Sequence, residues 1–157
     1  MSVTTGQTAP NFKLFNTEKQ EVELNSFKGK NVILHFFPLA FTGVCTTQLC
    51  TARDNMEVYS KLNAVVLGIS VDSLFSLGEF KKQQNFNFDL LSDFNKETSA
   101  AYDLVIDPFA FGMKGVSKRA AFVIDKEGVV QYAEVTPTPG DLPNFVAIKE
   151  TLDKLNG

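Results

Sequence analysis

Two uninterrupted apolar runs, residues 31–37 (NVILHFF) and 63–71 (NAVVLGISV), constrain the fold more than anything else in the chain. Neither alternates apolar with polar residues, so each reads as a strand buried on both faces, the usual condition of strands in a parallel sheet. Parallel neighbours need a crossover of a dozen or more residues. Residues 45–62 (CTTQLCTARDNMEVYSKL) supply one, and read as a single helix with Leu49, Met56 and Leu62 on its inward stripe. The three pieces form a β-α-β unit.

Downstream, 73–84 (SLFSLGEFKKQQ) reads as a second amphipathic helix and 88–91 (FDLL) as a short strand. Residues 120–135 (AAFVIDKEGVVQYAEV) read as two strands joined by a Gly-containing hairpin turn. The last helix is 142–156, with its start marked by Pro143 and with Phe145, Ile148, Leu152 and Leu155 on one face. The sum is an α/β protein with a central mixed β-sheet flanked by helices. The Pro- and Gly-rich stretch 136–144 joins a strand to a helix and reads as a connection within the domain. A chain of 157 residues is expected to be one domain, 1–157, burying about 70% of the surface its unfolded form exposes.

The net charge is −3 and the Lys and Arg residues are scattered, so there is no basic stripe to hold a nucleic acid. The first ten residues lack the basic start and apolar stretch of a signal peptide, and no apolar run approaches the ~18 residues of a membrane span. No nucleic-acid or membrane partner is expected, and the expected location is the cytoplasm. Two cysteines are too few for a disulfide scaffold, and with His35 as the only histidine they cannot complete a four-ligand zinc site. No cofactor is expected. For the thiols, two readings stay open in a reducing compartment: inert packing or thiol chemistry.

Both cysteines lie in 38–50 (PLAFTGVCTTQLC), directly after the first apolar run. A loop that leaves a buried parallel strand and enters a helix places its residues at the carboxyl end of the sheet, where α/β proteins carry their sites. With the helix starting at about Val44 or Cys45, the Cys45 thiol lies near unpaired backbone N–H groups and the positive end of the helix dipole. A cysteine taken at random is a small buried apolar residue. Its place at a strand-to-helix switch favours chemistry instead.

PLAFTGVC also fits the P-x-x-x-T-x-x-C signature of peroxiredoxins, with Pro38, Thr42 and Cys45 at the required offsets. The resemblance extends to the opening GQTAPNF, to VVLGISVDS after the first helix and to KRAAFVIDKEG at the later hairpin. It implies a thioredoxin-like fold, reduction of a hydroperoxide substrate by a thiol, and an arginine on the later strand that maps to Arg119. It also implies thioredoxin or another thiol reductant as partner, and a partner subunit, as in a homodimer, near the aromatic loops. Under this resemblance Cys45 is the peroxidatic thiol, and physical chemistry says what must surround it. A lower thiol pKa raises thiolate content roughly 30-fold over three units but costs roughly 20-fold in nucleophilicity, so the two nearly cancel. The acceleration then depends on donors that hold the peroxide in line and meet the charge on the departing oxygen. Thr42 can offer a hydroxyl, the Val44 and Cys45 amides can offer N–H groups, Arg119 a fixed fork, and Pro38 a shield. Each has a plainer reading alone: Thr42 as a helix cap, Arg119 as half of a surface ion pair, Pro38 as a strand terminator. One family arrangement accounts for all of them together with Cys45.

Gln48 stands where many relatives with a C-x-x-x-x-C pattern carry Glu, and as an amide it can still bond towards an arginine. His35 reads as a satisfied core or sheet-face histidine, and Phe41, Phe109 and Phe111 as packing residues. The spacing of Cys45 and Cys50 is similar to that of bacterioferritin-comigratory (Q-type) peroxiredoxins, in which the second thiol resolves the sulfenic acid. On an intact helix the two Cα atoms lie roughly 8 to 9 Å apart, too far for a disulfide, so resolution by Cys50 requires the helix start to unwind. FPLAFTG is also similar to the one-cysteine, E-type group, in which an external thiol resolves. With no cysteine near the end of the sequence, the two-cysteine mechanism across a dimer is not expected. A dithiol oxidoreductase or a thioredoxin-like binding module is the remaining alternative, although the C-x-x-C that such proteins use is absent.

Overall fold

The structure, a computed structural model, describes residues 2–156. Its strands are β1 (Lys13–Asn16), β2 (Glu21–Glu23), β3 (Asn31–Phe36), β4 (Ala64–Ser70), β5 (Asp89–Ser92), β6 (Val105–Ile106), β7 (Val116–Ser117), β8 (Ala120–Ile124) and β9 (Val130–Val135). Seven of them form one mixed sheet in the order β2-β1-β5-β4-β3-β8-β9, while β6 and β7 form a separate ribbon. The two apolar runs are the central pair: β3 lies parallel to β4, from Asn31 opposite Ala64 to Phe36 opposite Ile69. Strands β8 and β9 form the expected antiparallel hairpin, and β8 pairs antiparallel with β3.

Every residue of β3 is buried because both faces of the sheet are covered. Ile33 and Phe37 enter one core, with Cys45, Leu49, Leu77, Phe80, Ile148 and Leu152. Val32, Leu34 and Phe36 enter the other, with Phe12, Leu24, Tyr102 and Phe122. The helices are α1 (Gly43–Asp54), α2 (Met56–Lys61), α3 (Leu74–Gln84), α4 (Glu97–Ala101) and α5 (Phe145–Leu155). Helix α1 lies close over β4, where an added Cβ at Gly68 would stand 2.7 Å from Leu90 Cδ2 and 3.5 Å from Leu49 Cδ2.

The single helix expected over 45–62 is two. Asn55 breaks it: its side chain donates to Thr51 O at 2.8 Å and its amide to Ala52 O, so the side chain competes with the helical ladder. The inward stripe survives the break, with Leu49 buried and Met56 and Leu62 packed against the same core. The last helix starts at Phe145, where Asn144 Oδ1 caps the Ala147 amide at 3.0 Å. The β1–β2 hairpin escapes a reading by periodicity because its strands are short and polar. Its turn is held by Asn16 Oδ1, which accepts from the amides of Glu18 and Gln20.

Candidate active site

Beyond Phe36 the chain cannot stay in the sheet, because Pro38 has no N–H to donate to a ladder; its ring is buried at the strand's end. The loop that follows is tethered from the next strand. Asp72, two residues past β4, accepts from the Ala40 amide at 2.8 Å and from the Ser70 hydroxyl at 2.6 Å. Phe41 then turns through a left-handed conformation (φ +66°), and Thr42 is extended at the N-cap of α1. The Thr42 hydroxyl makes no capping bond. It donates to Leu39 O at 2.8 Å, which commits its proton to the loop and leaves its lone pairs to accept one.

The first helical bond runs from the Thr46 amide to Thr42 O at 2.9 Å, so the amides of Val44 and Cys45 precede the ladder and have no acceptor among the described residues. Cys45 is thus held in the first turn of α1, only 1% exposed. Above it stands Arg119, which enters from the residue preceding β8 and is 3% exposed. Its Nη1 donates to Cys45 Sγ at 3.2 Å and to Gln48 Oε1 at 2.8 Å, while its Nε and Nη2 both donate to Pro139 O, at 3.1 and 2.7 Å. Arg119 makes no ion pair with any carboxylate of the described residues, so the surface ion-pair reading fails. The thiol is the one partner of this buried cation that can become an anion.

Gln48, fully buried one turn after Cys45, reaches Arg119 with its oxygen and His35 Nδ1 with its nitrogen at 3.0 Å. His35 is a core histidine, though not a fully satisfied one: among the described residues its Nε2 has no hydrogen-bond partner, and its ring lies 5.4 Å from that of Phe145. Burial pushes its pKa down to about 4, so the imidazole is neutral.

Cys50 lies on the intact helix, half-buried, with its Sγ 3.5 Å from Gln84 Oε1 of α3; the two cysteines are free. Of the three phenylalanines read as packing residues, Phe41 leans on Phe80 (ring centroids 5.0 Å apart) but is half exposed, and Phe109 is half-buried. Phe111 is not a packing residue. Its side chain is 102% exposed, on a backbone turned to φ +61°, which points it away from the core. Beside the β6–β7 ribbon, a groove of about 660 Å³ runs between Phe109, Val135 and Pro139 and has Arg119 in its wall. Cys45 takes no part in that wall.

The structure therefore brings Cys45 and Arg119 into contact, with Thr42 at the N-cap of the same helix, Pro38 buried just past the end of β3 and Cys50 farther along α1. Reasoning from the sequence missed Asp72 and the Pro139 carbonyl. The signal for Asp72 was its position just past a parallel strand, at the same end of the sheet as the 38–42 loop. A backbone carbonyl leaves no signal in residue type.

Comparison with known proteins agrees with this geometry. Residues 5–133 match the AhpC/TSA family. Peroxiredoxin Bcp of Bacillus subtilis is 37% identical over 129 residues, covering 82% of each chain. The chloroplastic peroxiredoxin Q of Oryza sativa subsp. japonica is 39% identical over 130 residues, 83% of this chain and 58% of that protein. The crystal structure of peroxidoxin BcpB from Mycobacterium tuberculosis superposes with a TM-score of 0.88 at 26% identity over 99% of both chains. The mixed thioredoxin-like sheet, a cysteine in the first turn of the crossover helix and relatives of this kind lead to one assignment: the chain belongs to the AhpC/TSA family of peroxiredoxins.

Proposed function

We propose that this peroxiredoxin reduces hydrogen peroxide and organic hydroperoxides through Cys45. The Cys45 thiolate attacks one peroxide oxygen, the O–O bond breaks, and the departing oxygen takes up a proton and leaves as water or an alcohol, with sulfenic acid on Cys45. The observation that carries this reading is the buried Arg119 guanidinium, 3.2 Å from Cys45 Sγ and without a carboxylate partner. It offers charge to the thiolate before reaction and a fixed donor to the oxygen that becomes negative during it. The Val44 and Cys45 amides supply further donors, the Thr42 hydroxyl oxygen accepts a hydrogen bond from the peroxide O–H, and Pro38 walls the site from water.

Cys50 resolves the intermediate. Its thiol attacks the Cys45 sulfur, water leaves, and an intramolecular disulfide forms that thioredoxin or another dithiol reductant reduces. The bond from Cys50 Sγ to Gln84 on an intact helix favours a second reading, in which Cys50 stays in place and an external thiol resolves Cys45. The exposed Phe41, Phe111 and Met113 suit contact with a second copy in a homodimer. The proposal takes residues 1–157 as one catalytic domain acting in the cytoplasm. No helix of the described residues is long and apolar enough to cross a membrane.

Peroxide consumption with a dithiol reductant tests the assignment. Wild-type protein turns over, Cys45→Ser does not, and Cys50→Ser gains oxygen at Cys45 and over-oxidises readily. Turnover by Cys45→Ser rejects the proposal. If Cys50→Ser turns over normally with a dithiol, the external-thiol reading replaces the disulfide.

A further inference from the structure

Gln48 is buried, and all of its polar atoms are bonded: Oε1 to Arg119 Nη1 at 2.8 Å, Nε2 to His35 Nδ1 at 3.0 Å and, over a longer 3.4 Å, to Phe36 O. An amide has one accepting end and one donating end, and reversing it would set an NH₂ against a guanidinium that can only donate. Which end faces Arg119 matters, because its Nε and Nη2 are both spent on the one oxygen of Pro139. On the Nη1 side the fixed acceptor is Gln48 Oε1, and the bond to it directs the other Nη1 hydrogen at Cys45 Sγ.

The amide's donating end must therefore be kept engaged, and the close acceptor there is His35 Nδ1. For Nδ1 to accept, the imidazole must be neutral with its proton on Nε2. The surroundings of the ring are compatible with that state. Nε2 has no partner that would draw the proton off, the ring lies against Phe145, and among the described residues no carboxylate bonds to His35 to favour an imidazolium. The depressed pKa of His35 points the same way.

We infer that His35 is a positioning residue for peroxide reduction: its Nδ1 lone pair locks the Gln48 amide with the oxygen towards Arg119, and so fixes the guanidinium on Cys45. The inference rests on the reading of Cys45 and Arg119 given above. It explains how a neutral amide can replace a carboxylate beside the arginine. A carboxylate accepts with both oxygens and needs no lock, whereas an amide needs one. With the amide, the charge of Arg119 also stays undivided for the thiolate.

The test compares wild type, His35→Phe, Gln48→Glu and the double variant, using rapid quench of the Cys45 thiol after mixing with hydrogen peroxide, and thermal melts alongside. With the amide present, His35→Phe should slow Cys45 oxidation about tenfold, the scale of one misdirected bond to a charged group. In the Gln48→Glu background the same change should cost less than about twofold, because the symmetric carboxylate removes the need for a lock. An equal loss in both backgrounds would mean that His35 only packs. Nitrogen-15 NMR of the single histidine supplies a readout that needs no variant. The proton should sit on Nε2 in the wild type and be free to move to Nδ1 in Gln48→Glu, where the carboxylate can accept it without changing what faces Arg119. A wild-type proton on Nδ1 overturns the inference even if the variants fail to fold. A wild-type protein with the Nε2 proton but no reaction with peroxide would instead reject the peroxidase reading and leave the His35–Gln48 contact standing.

Discussion

The Arg119 guanidinium donates each of its hydrogen bonds to a neutral protein group or to Cys45 Sγ, and that single side chain concentrates the chemistry of the site. Truncation to alanine should therefore slow the reaction of Cys45 with hydrogen peroxide by about 100-fold, the loss typical of one fixed donor to a transition state. An unchanged second-order rate would show that the guanidinium is not used. His35 leads to a different prediction, on stability. Folding lowers its pKa from 6.5 to about 4, so the unfolded chain binds the proton more readily than the folded one. The stability that the neutral ring contributes is intact above pH 6.5 and is lost as the pH falls from there towards 4. Between pH 7 and pH 5 this amounts to about 2 kcal/mol. Arg119, linked to His35 through Gln48, is positive as well and does nothing to relieve the loss. Urea melts should show that slope in the wild type and a shallower one in His35→Phe; identical slopes would remove His35 as its source.

At the level of elements, α1 has to hold Cys45 rigidly and then let it go. The break at Asn55 divides the crossover into a twelve-residue helix carrying both cysteines and a separate turn, α2, anchored by the buried Tyr59. Unwinding to join Cys45 and Cys50 can then stop at Asn55, although Leu49 must shift in the core over β4. Oxidation with one equivalent of hydrogen peroxide should therefore abolish slow amide exchange over much of 43–54 while 56–61 keeps its protection. Protection unchanged across 43–54 in the oxidised protein would mean that the helix stays wound and that no Cys45–Cys50 bond forms. Such a release has to break the 3.5 Å bond from Cys50 Sγ to Gln84 of α3, while the 2.7 Å bond from Arg53 Nη1 to Gln84 O can keep the end of α1 docked.

Over the whole molecule, what could be read in advance follows from which forces act locally. The central strands, the crossover and the hairpin announced themselves because continuous apolar runs and a Gly-bearing turn are patterns of adjacent residues. Pro38, Thr42 and Cys45 were legible for the same reason, lying within eight residues of one another. Arg119 was reached only through family resemblance, since 74 residues separate it from Cys45. Asp72 on Ala40, His35 on Gln48 and the Pro139 carbonyl on Arg119 depend on how strands and loops meet in space, and no periodicity carries that. Phe111 misled because a large aromatic side chain is buried in most settings, and here a left-handed turn sets it fully outward. All of these parts converge on one thiol, which makes the order of oxidation the most direct observable. Reduced protein mixed with one equivalent of hydrogen peroxide, quenched over milliseconds and mapped by mass spectrometry, should lose the Cys45 thiol first, through a sulfenic acid, and then show a Cys45–Cys50 disulfide as the loss of two hydrogens. Oxidation that begins at Cys50, or peroxide consumed while Cys45 remains a free thiol, would contradict the assignment of Cys45.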